Sequence, residues 1–289
     1  MTELFGFLLS GVTVGFIYAL VGIGFTVIYN SSGIINFSQG EFVMAGGMSM
    51  VFILAAGVPL VPAFGLAIIV TAMLGILLWK LTDLSKDSSQ VSLIILTLGF
   101  AIFLRGLAEV VFDKELHTIP SFVGDGSMEI YGAILSYQSI LVIAVSILIV
   151  VALWLFFKKT RLGKAMIAAS DNVEAAKLMG INIKRILMLN FAISASIAAI
   201  GGVLLTPITS TNYEVGIMLG LKGFAAAIIG GLSNPFGAVL GGLILGIMEV
   251  LVAGYLSSEY KDAVAFIIML LILFLRPGGI FSTLKAQRV

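Results

Sequence analysis

The sequence predicts an all-α fold, a polytopic bundle of membrane helices, and three observations lead there. Only 11% of the 289 residues are charged while 60% are hydrophobic, whereas a soluble domain carries about a quarter charged residues. Charge-free apolar runs such as 4–29, 61–79, 140–157 and 186–205 are long enough to cross a hydrocarbon core of roughly 30 Å. None of these runs alternates in period two, as the strands of a membrane barrel would.

Nine candidate segments follow in order. The first, 4–29, is preceded by Met1-Thr2-Glu3, which lacks the basic stretch of a cleaved leader, so it is expected to be retained. The second, 36–57, begins inside a polar interruption considered below, and the third, 61–80, closes on Lys80. The fourth, 91–112, carries Arg105 and Glu109, four apart and able to pair on one helix face. The fifth and sixth, 138–157 and 186–206, flank a basic loop at 158–185. The seventh, 216–231, is the weakest, being short, glycine-rich and occupied by Lys222. The eighth, 237–256, holds Glu249. The ninth, 261–276, has thirteen uninterrupted apolar residues and needs Asp262 and Arg276 near the interfaces. Eight spans with one re-entrant piece stand beside nine, in a single membrane domain covering 1–289.

Charge sets the expected orientation. Seven of the sixteen basic residues lie between the fifth and sixth segments, and Lys and Arg mark the cytoplasmic side. With that loop inside, alternating spans put Lys80, Lys86, Arg276, Lys285 and Arg288 inside too, twelve basic residues in all. The acidic loop with His117 and the N-terminus fall outside. Gly11 and Gly15, Gly237 and Gly241, and Gly242 and Gly246 have the spacing that lets two helices approach closely in lipid; either this chain's own helices or a subunit interface would use them.

Several chemistries are excluded. With no cysteine and one histidine, thiol catalysis, cysteine-ligated metal, a histidine metal site and a Ser/His/Asp set are out of reach, and no catalytic residue is assigned. No phosphate-cradling G-x-x-x-x-G-K-[ST] occurs, so no cofactor is expected on this chain, nor is a nucleic-acid partner. Arg161-Leu162-Gly163-Lys164 can touch anionic lipid but equally satisfies the positive-inside rule.

Two polar stretches stand out. Ser31–Glu41 breaks an apolar region with amides, hydroxyls and turn glycines. A carboxylate such as Glu41 facing lipid costs about 3 kcal/mol or more, so it must face protein, a water-filled path or the interface. Asn36, Ser38, Gln39 and Glu41 therefore read either as a loop with Asn36 capping the next helix, or as a break lining a translocation path. Glu249, without a local partner, joins the path candidates. The second stretch, 171–180, reads as a short helix at 172–179: Asp171 and Glu174 fit a capping box, Lys177 suits its last turn, and Gly180 can end it in the left-handed conformation. Ala175 and Ala176 present small side chains on which something else can pack.

Glu174-Ala175-Ala176-Lys177-Leu178-Met179-Gly180 resembles the E-A-A-x-x-x-G cytoplasmic motif of ABC importer permeases. The chain resembles the LivH-type permeases of branched-chain amino acid importers along almost its whole length. The matching stretches are 33–42, 175–182, Gly220-Leu221-Lys222-Gly223-Phe224-Ala225-Ala226-Ala227, Tyr260–Phe266 and Arg276-Pro277-Gly278-Gly279-Ile280-Phe281; in the last, Gly279 stands where Gln is expected. The resemblance implies an ABC importer permease in the cell (inner) membrane. Its partners would be a related second permease, two cytoplasmic ATPases that hold the ATP, and an extracytoplasmic binding protein. Asp171, Asn172, Glu174, Ala175, Ala176 and Gly180 would couple to an ATPase. Urea and other amino acids remain as substrates of the same permease type. A secondary transporter without ATPases is the alternative from another class, and an intramembrane enzyme is disfavoured because no catalytic groups converge.

Overall fold

The structure, a computed structural model, describes residues 2–85, 88–130 and 132–281; Lys86, Lys285 and Arg288 of the charge balance lie outside the described residues. In chain order it contains α1 (Thr2–Ser32), α2 (Gln39–Ala55), α3 (Leu60–Leu84), α4 (Gln90–Phe112), β1 (Ser127–Ile130) and β2 (Ala133–Ser136). Then follow α5 (Tyr137–Lys159), α6 (Arg161–Asp171), α7 (Val173–Leu178), α8 (Ile183–Thr209), α9 (Val215–Gly230), α10 (Pro235–Tyr255) and α11 (Lys261–Leu275). Among the described residues α1, α3, α4, α5, α8 and α10 are long and apolar enough to cross a membrane, while α2 and α9 are apolar but shorter. The all-α expectation holds apart from one antiparallel hairpin, β1 with β2, in register Ser127↔Ser136. There Ala133 and Leu135 are buried while Ile134 and Ser136 are exposed, the alternation of a half-buried strand.

Helix starts follow local chemistry. Ser89, Ser136, Thr160, Asn172, Asn182 and Asn234 each sit at an N-cap and accept a first-turn amide, satisfying donors that the helix cannot.

Packing then comes in equivalent sets: α1 with α10 and α9, α8 with α3 and α2, and α2 with α9 between them. The glycine pairs hold this chain's own helices. A Cβ on Gly11 would stand 2.7 Å from the Ile247 Cα, and one on Gly15 2.8 Å from the Leu243 Cα, so α1 and α10 touch backbone to backbone. Gly237 and Gly241 do the same for α10 against α9. The centre is α2, buried from Gln39 to Val51. By contrast α4, α5 and α11 turn Phe103, Leu148 and Phe274 outward, as helices against lipid do.

Two ends are distinguishable. At the basic end Lys184 pairs with Asp83 at 3.4 Å, Asn30 donates to the Ser233 carbonyl at 3.1 Å, and the amides of Ile280 and Phe281 donate to the carbonyls of Ile229 and Gly230. Gly279, where the resemblance leads to an expectation of Gln, has a local reason to be glycine. Its φ is 87° and a Cβ there would stand 2.5 Å from the Gly231 nitrogen, so a glutamine would be strained and crowded. At the opposite end His117 and Thr211 exchange backbone hydrogen bonds of 2.8 and 2.7 Å. Bonds from the Glu115 amide and from His117 hold the Asp113 carboxyl in that loop below its usual range.

Candidate functional site

α1 ends at Ser32, Gly33 turns with φ 69°, and the chain runs non-helically to Ser38. Its depth follows from its neighbours. Gln39 fills space left open by Gly24, where a Cβ would overlap the glutamine amide, and its Nε2 donates to the Ser194 carbonyl at 3.2 Å. Gly24 lies eight residues back from Ser32, about 12 Å along α1 at 1.5 Å per residue. Residues 33–38 therefore turn back into the bundle. Ser38 Oγ donates to the Thr97 carbonyl at 2.5 Å, and the Phe37 amide to Thr97 Oγ1 at 3.3 Å. Irregular backbone at such depth is tolerated only where protein or a cavity surrounds it. Asn36, Ser38, Gln39 and Glu41 are brought together and buried. Asn36 is not the helix cap: it accepts from the Ser38 amide at 3.0 Å, one turn earlier, and Ser38 holds the N-cap position.

A second break of the same build went unread in the sequence. Asn36-Phe37-Ser38-Gln39-Gly40 recurs as Asn212-Tyr213-Glu214-Val215-Gly216, with the same bonds. The Glu214 amide donates to Asn212 Oδ1 at 3.2 Å as Ser38 does to Asn36, and Val215 N to the Asn212 carbonyl at 3.4 Å as Gln39 N does to Asn36 at 3.2 Å. Ser210, with φ 62°, turns the chain two residues before Asn212, as Gly33 does three residues before Asn36. Gly47 packs against Thr211 while Gly40 packs against Gly216; seven residues of α2 separate the two glycines, so residues 211–216 descend about 10 Å. The breaks thus enter from opposite ends, and the helices they start, α2 and α9, cross at Gly40 and Gly216. A Cβ on Gly216 would stand 2.7 Å from the Gly40 carbonyl oxygen. Discontinuous helices that meet inside a bundle are where transport proteins place polar sites.

The expected Arg105–Glu109 pair does not form. Arg105 Nη2 bonds instead to Glu41 Oε1 at 2.6 Å, and Glu109 pairs with Lys114 at 2.6 Å. Burial decides: the Glu41 side chain is 3% exposed, and a buried carboxylate demands a charge partner, whereas Glu109 meets Lys114 near the surface. Lys114 in turn is raised, chiefly by its bond to Glu109.

Glu249, read as lacking a partner, has two. Lys222 Nζ lies 2.7 Å from Glu249 Oε1 and 2.6 Å from Asp262 Oδ1, and the Tyr18 hydroxyl donates to Glu249 Oε2 at 2.8 Å. This cluster clasps α1, α9, α10 and α11. No hydrogen bond among the described residues joins it to Glu41, so the two polar centres are separate.

The short helix at 172–179 is α7, Val173–Leu178, and its cap differs by one residue. Asn172 Oδ1 accepts from the Ala175 amide at 3.0 Å. Asp171 cannot serve, because it still belongs to α6, and the extended backbone of an N-cap first appears at Asn172. Glu174 pairs with Lys177 at 2.8 Å, and Gly180 ends the helix with φ 81°. Ala176 corrects a further expectation: it is buried against Met166, Ala169 and Ile186 of its own chain, while Ala175 faces outward. The most exposed apolar side chains are Leu178 and Met179, 90% and 83% exposed, against 38% for Val173. Gly163, Met166 and Ala169, buried at helical spacing, were the unread signal for α6. Between α6 and the ends of α1 and α10 lies a cleft of about 780 Å³.

Known proteins align with this arrangement. The family described as branched-chain amino acid transport system / permease component matches residues 7–273. The permease protein BraD of Pseudomonas aeruginosa, from a high-affinity branched-chain amino acid transport system, is 34% identical over 98% of this chain and 97% of its own. The corresponding LivH of Escherichia coli strain K12 is 35% identical over 97% and 96%. The solved structure of PsaBC from Streptococcus pneumoniae, in complex with a Fab, is 13% identical with a TM-score of 0.52 over 94% of this chain and 91% of that one, a likeness of fold. With six long apolar helices, two glycine-crossed shorter ones and the family's match along nearly its whole length, this chain belongs to the branched-chain amino acid transport system permease family.

Proposed function

We propose that this chain is the translocation subunit of an ATP-driven importer for leucine, isoleucine and valine, working with a related second permease, two ATPases and a binding protein. The carrying observation is α7, a helix capped at both ends that displays Leu178 and Met179 bare on the basic loop. Without an ATP site of its own, the chain needs a contact through which force enters. In this reading the basic end is cytoplasmic, the N-terminus lies outside and the C-terminus inside. The eight or nine segments comprise the six long helices, the half-length α2 and α9, and α11. Asn172, Glu174, Ala175 and Gly180 shape the coupling helix, with Asp171 closing α6 before it and Ala176 anchoring it to α8. Asn36, Ser38, Gln39 and Glu41 belong to the path together with 212–216, while Glu249 serves the clasp on α11.

The test is reconstitution of the whole importer in liposomes with its binding protein. ATP-dependent accumulation of labelled leucine, with hydrolysis stimulated by the loaded binding protein, is the expected result. Equal accumulation without the ATPases would instead make the chain a secondary transporter.

A further inference from the structure

We propose that Glu41 and Arg105 form a station for the amino acid zwitterion where the two breaks meet, so that the permease itself reads both charges of its substrate. This rests on the importer reading above.

Three observations carry it. The pair is half-satisfied: Glu41 Oε1 holds Arg105 at 2.6 Å, but Glu41 Oε2 and Arg105 Nε, both buried, have no partner. A buried carboxylate oxygen and a guanidinium N–H left open are costly unless something meets them. An α-amino acid carries an ammonium and a carboxylate on one carbon, the complement of an open acceptor and an open donor on two paired side chains. The ammonium would bond Glu41 Oε2 and the carboxylate would bond Arg105.

The place is also distinctive. Glu41 stands in the first turn of α2, and a Cβ on Gly216 would come within 2.7 Å of its free Oε2, so the open oxygen lies at the crossing of the two half-length helices. Toward the end bearing His117, where Lys114 pairs with Glu109, Tyr213 at the start of the second break packs against Met44 and Ala108, one turn from Glu41 and Arg105. The Arg105 side chain is 28% exposed while Glu41 is enclosed, so the pair is reached from the Arg105 side.

Next to the pair is room for a side chain. An apolar recess of about 140 Å³ lies one helical turn further along α2 and α4, walled by Met44, Ala45, Leu104 and Ala108 and open on one side, where Val70 of α3 and Leu107 and Val111 of α4 are exposed. An apolar cavity of roughly 150 Å³ can hold benzene, so an isobutyl group fits. Two charges beside an apolar recess describe an aliphatic α-amino acid.

The test uses the complete importer in liposomes, with leucine-loaded binding protein. Glu41→Gln and Arg105→Lys should each lower leucine uptake per assembled complex by about ten- to a hundredfold, the size of one or two lost charged hydrogen bonds. The exchanged pair, Glu41→Arg with Arg105→Glu, should recover assembly and thermal stability but not uptake, because the order of charges along the path is reversed. Uptake that returns with assembly in the exchanged pair, or normal uptake in either single variant, would make the pair structural and overturn the proposal. A second measurement covers variants that fail to assemble. In this cysteine-free chain, Tyr213→Cys labelled by a thiosulfonate reagent should be protected by leucine, but not by 4-methylpentanoate or 3-methylbutylamine, which carry one charge each. Protection by all three, or by none, would also overturn it. Failure of the unmodified importer to move leucine would defeat the functional reading itself, whereas normal transport with indifferent variants defeats only the station.

Discussion

Replacing Leu178 and Met179 together by serine should detach the ATPase while leaving the permease intact. Both side chains are almost fully exposed, and burying each in a groove contributes about 1.5–3 kcal/mol. Losing both removes roughly 3–5 kcal/mol from the contact, a factor of about a hundred to several thousand in affinity. The chain's own stability should change by no more than about 0.5 kcal/mol, as for most surface substitutions. Titrating purified ATPase subunits onto the permease pair in nanodiscs reads the affinity, and hydrolysis stimulated by the binding protein reads the coupling. Ala176→Trp is the contrasting variant. Ala176 packs against Met166, Ala169 and Ile186, so a large ring there overpacks the chain's own hairpin by about 1–3 kcal/mol and should lower its melting temperature. Unchanged ATPase affinity in the double serine variant would refute the reasoning. Lipid-protected labelling of Met179→Cys would then place α7 on the headgroups.

Other outcomes are expected from the same geometry. Gly40→Ala would put a methyl against the Gly216 carbonyl and 2.7 Å from the Gly220 Cα; this backbone crowding should cost about 1–3 kcal/mol in thermal unfolding. Gly65→Ala, with nothing within 4 Å and inside α3, should instead stabilise by about 0.5–1 kcal/mol; equal effects would show that α2 and α9 do not touch there. Lys222→Met leaves Glu249 buried without its cation and should cost roughly 3–5 kcal/mol, partly recovered by adding Glu249→Gln. A double variant no more stable than the single in thermal unfolding would remove the clasp. Single cysteines replacing Ser88 and Ser170 should label from one side of the membrane and one replacing His117 from the other; labelling of 117 and 170 from the same side would sink the topology.

What could be read from the sequence depended on how local the cause was. The long helices were legible because hydrocarbon thickness sets a minimum length of charge-free chain, and 140–157 or 186–205 cannot be much else. The first break was legible because Asn36, Gln39 and Glu41 are costly at depth wherever they sit. Its twin was not, since Ser210–Glu214 follows a span and looks like an ordinary surface loop; only the repeated Asn-aromatic-x-x-Gly marks it. Ion partners were misassigned for the same reason. Spacing of four favours Arg105 with Glu109 on one helix, but the decisive quantity is burial of Glu41, sixty-four positions away. Likewise Glu249 is isolated in sequence and enclosed in space, because Lys222 and Asp262 arrive on other helices. The cap of α7 moved from Asp171 to Asn172 because α6, hidden in a charged stretch, continues through Asp171.

These particulars bear on how a push at the surface reaches the interior. Ala176 ties α7 to Ile186 at the start of α8. Eight residues further along that helix, about 12 Å at 1.5 Å per residue, Ser194 Oγ stands 2.8 Å from Gln39 Oε1 and 2.9 Å from the Gly24 carbonyl. Gly202, later on α8, lies against the Val43 carbonyl of α2, and the helix ends at Ser210, where the second break begins. One continuous element therefore touches α7, the first break, the body of α2 and the start of the second break. A helix transmits displacement along its axis because every turn is bonded to the next, and the cleft beside α6 leaves room for the hairpin to move. α8 is a direct mechanical route from α7 toward the crossing at Gly40 and Gly216, and it passes through the two hydrogen bonds that join Ser194 to Gln39. Motion delivered there acts on breaks, whose few backbone bonds run to side chains such as Thr97 and Asn212, rather than on regular helix. Bonds of that kind can exchange without unwinding a turn, so the breaks are where a rigid lever finds compliance.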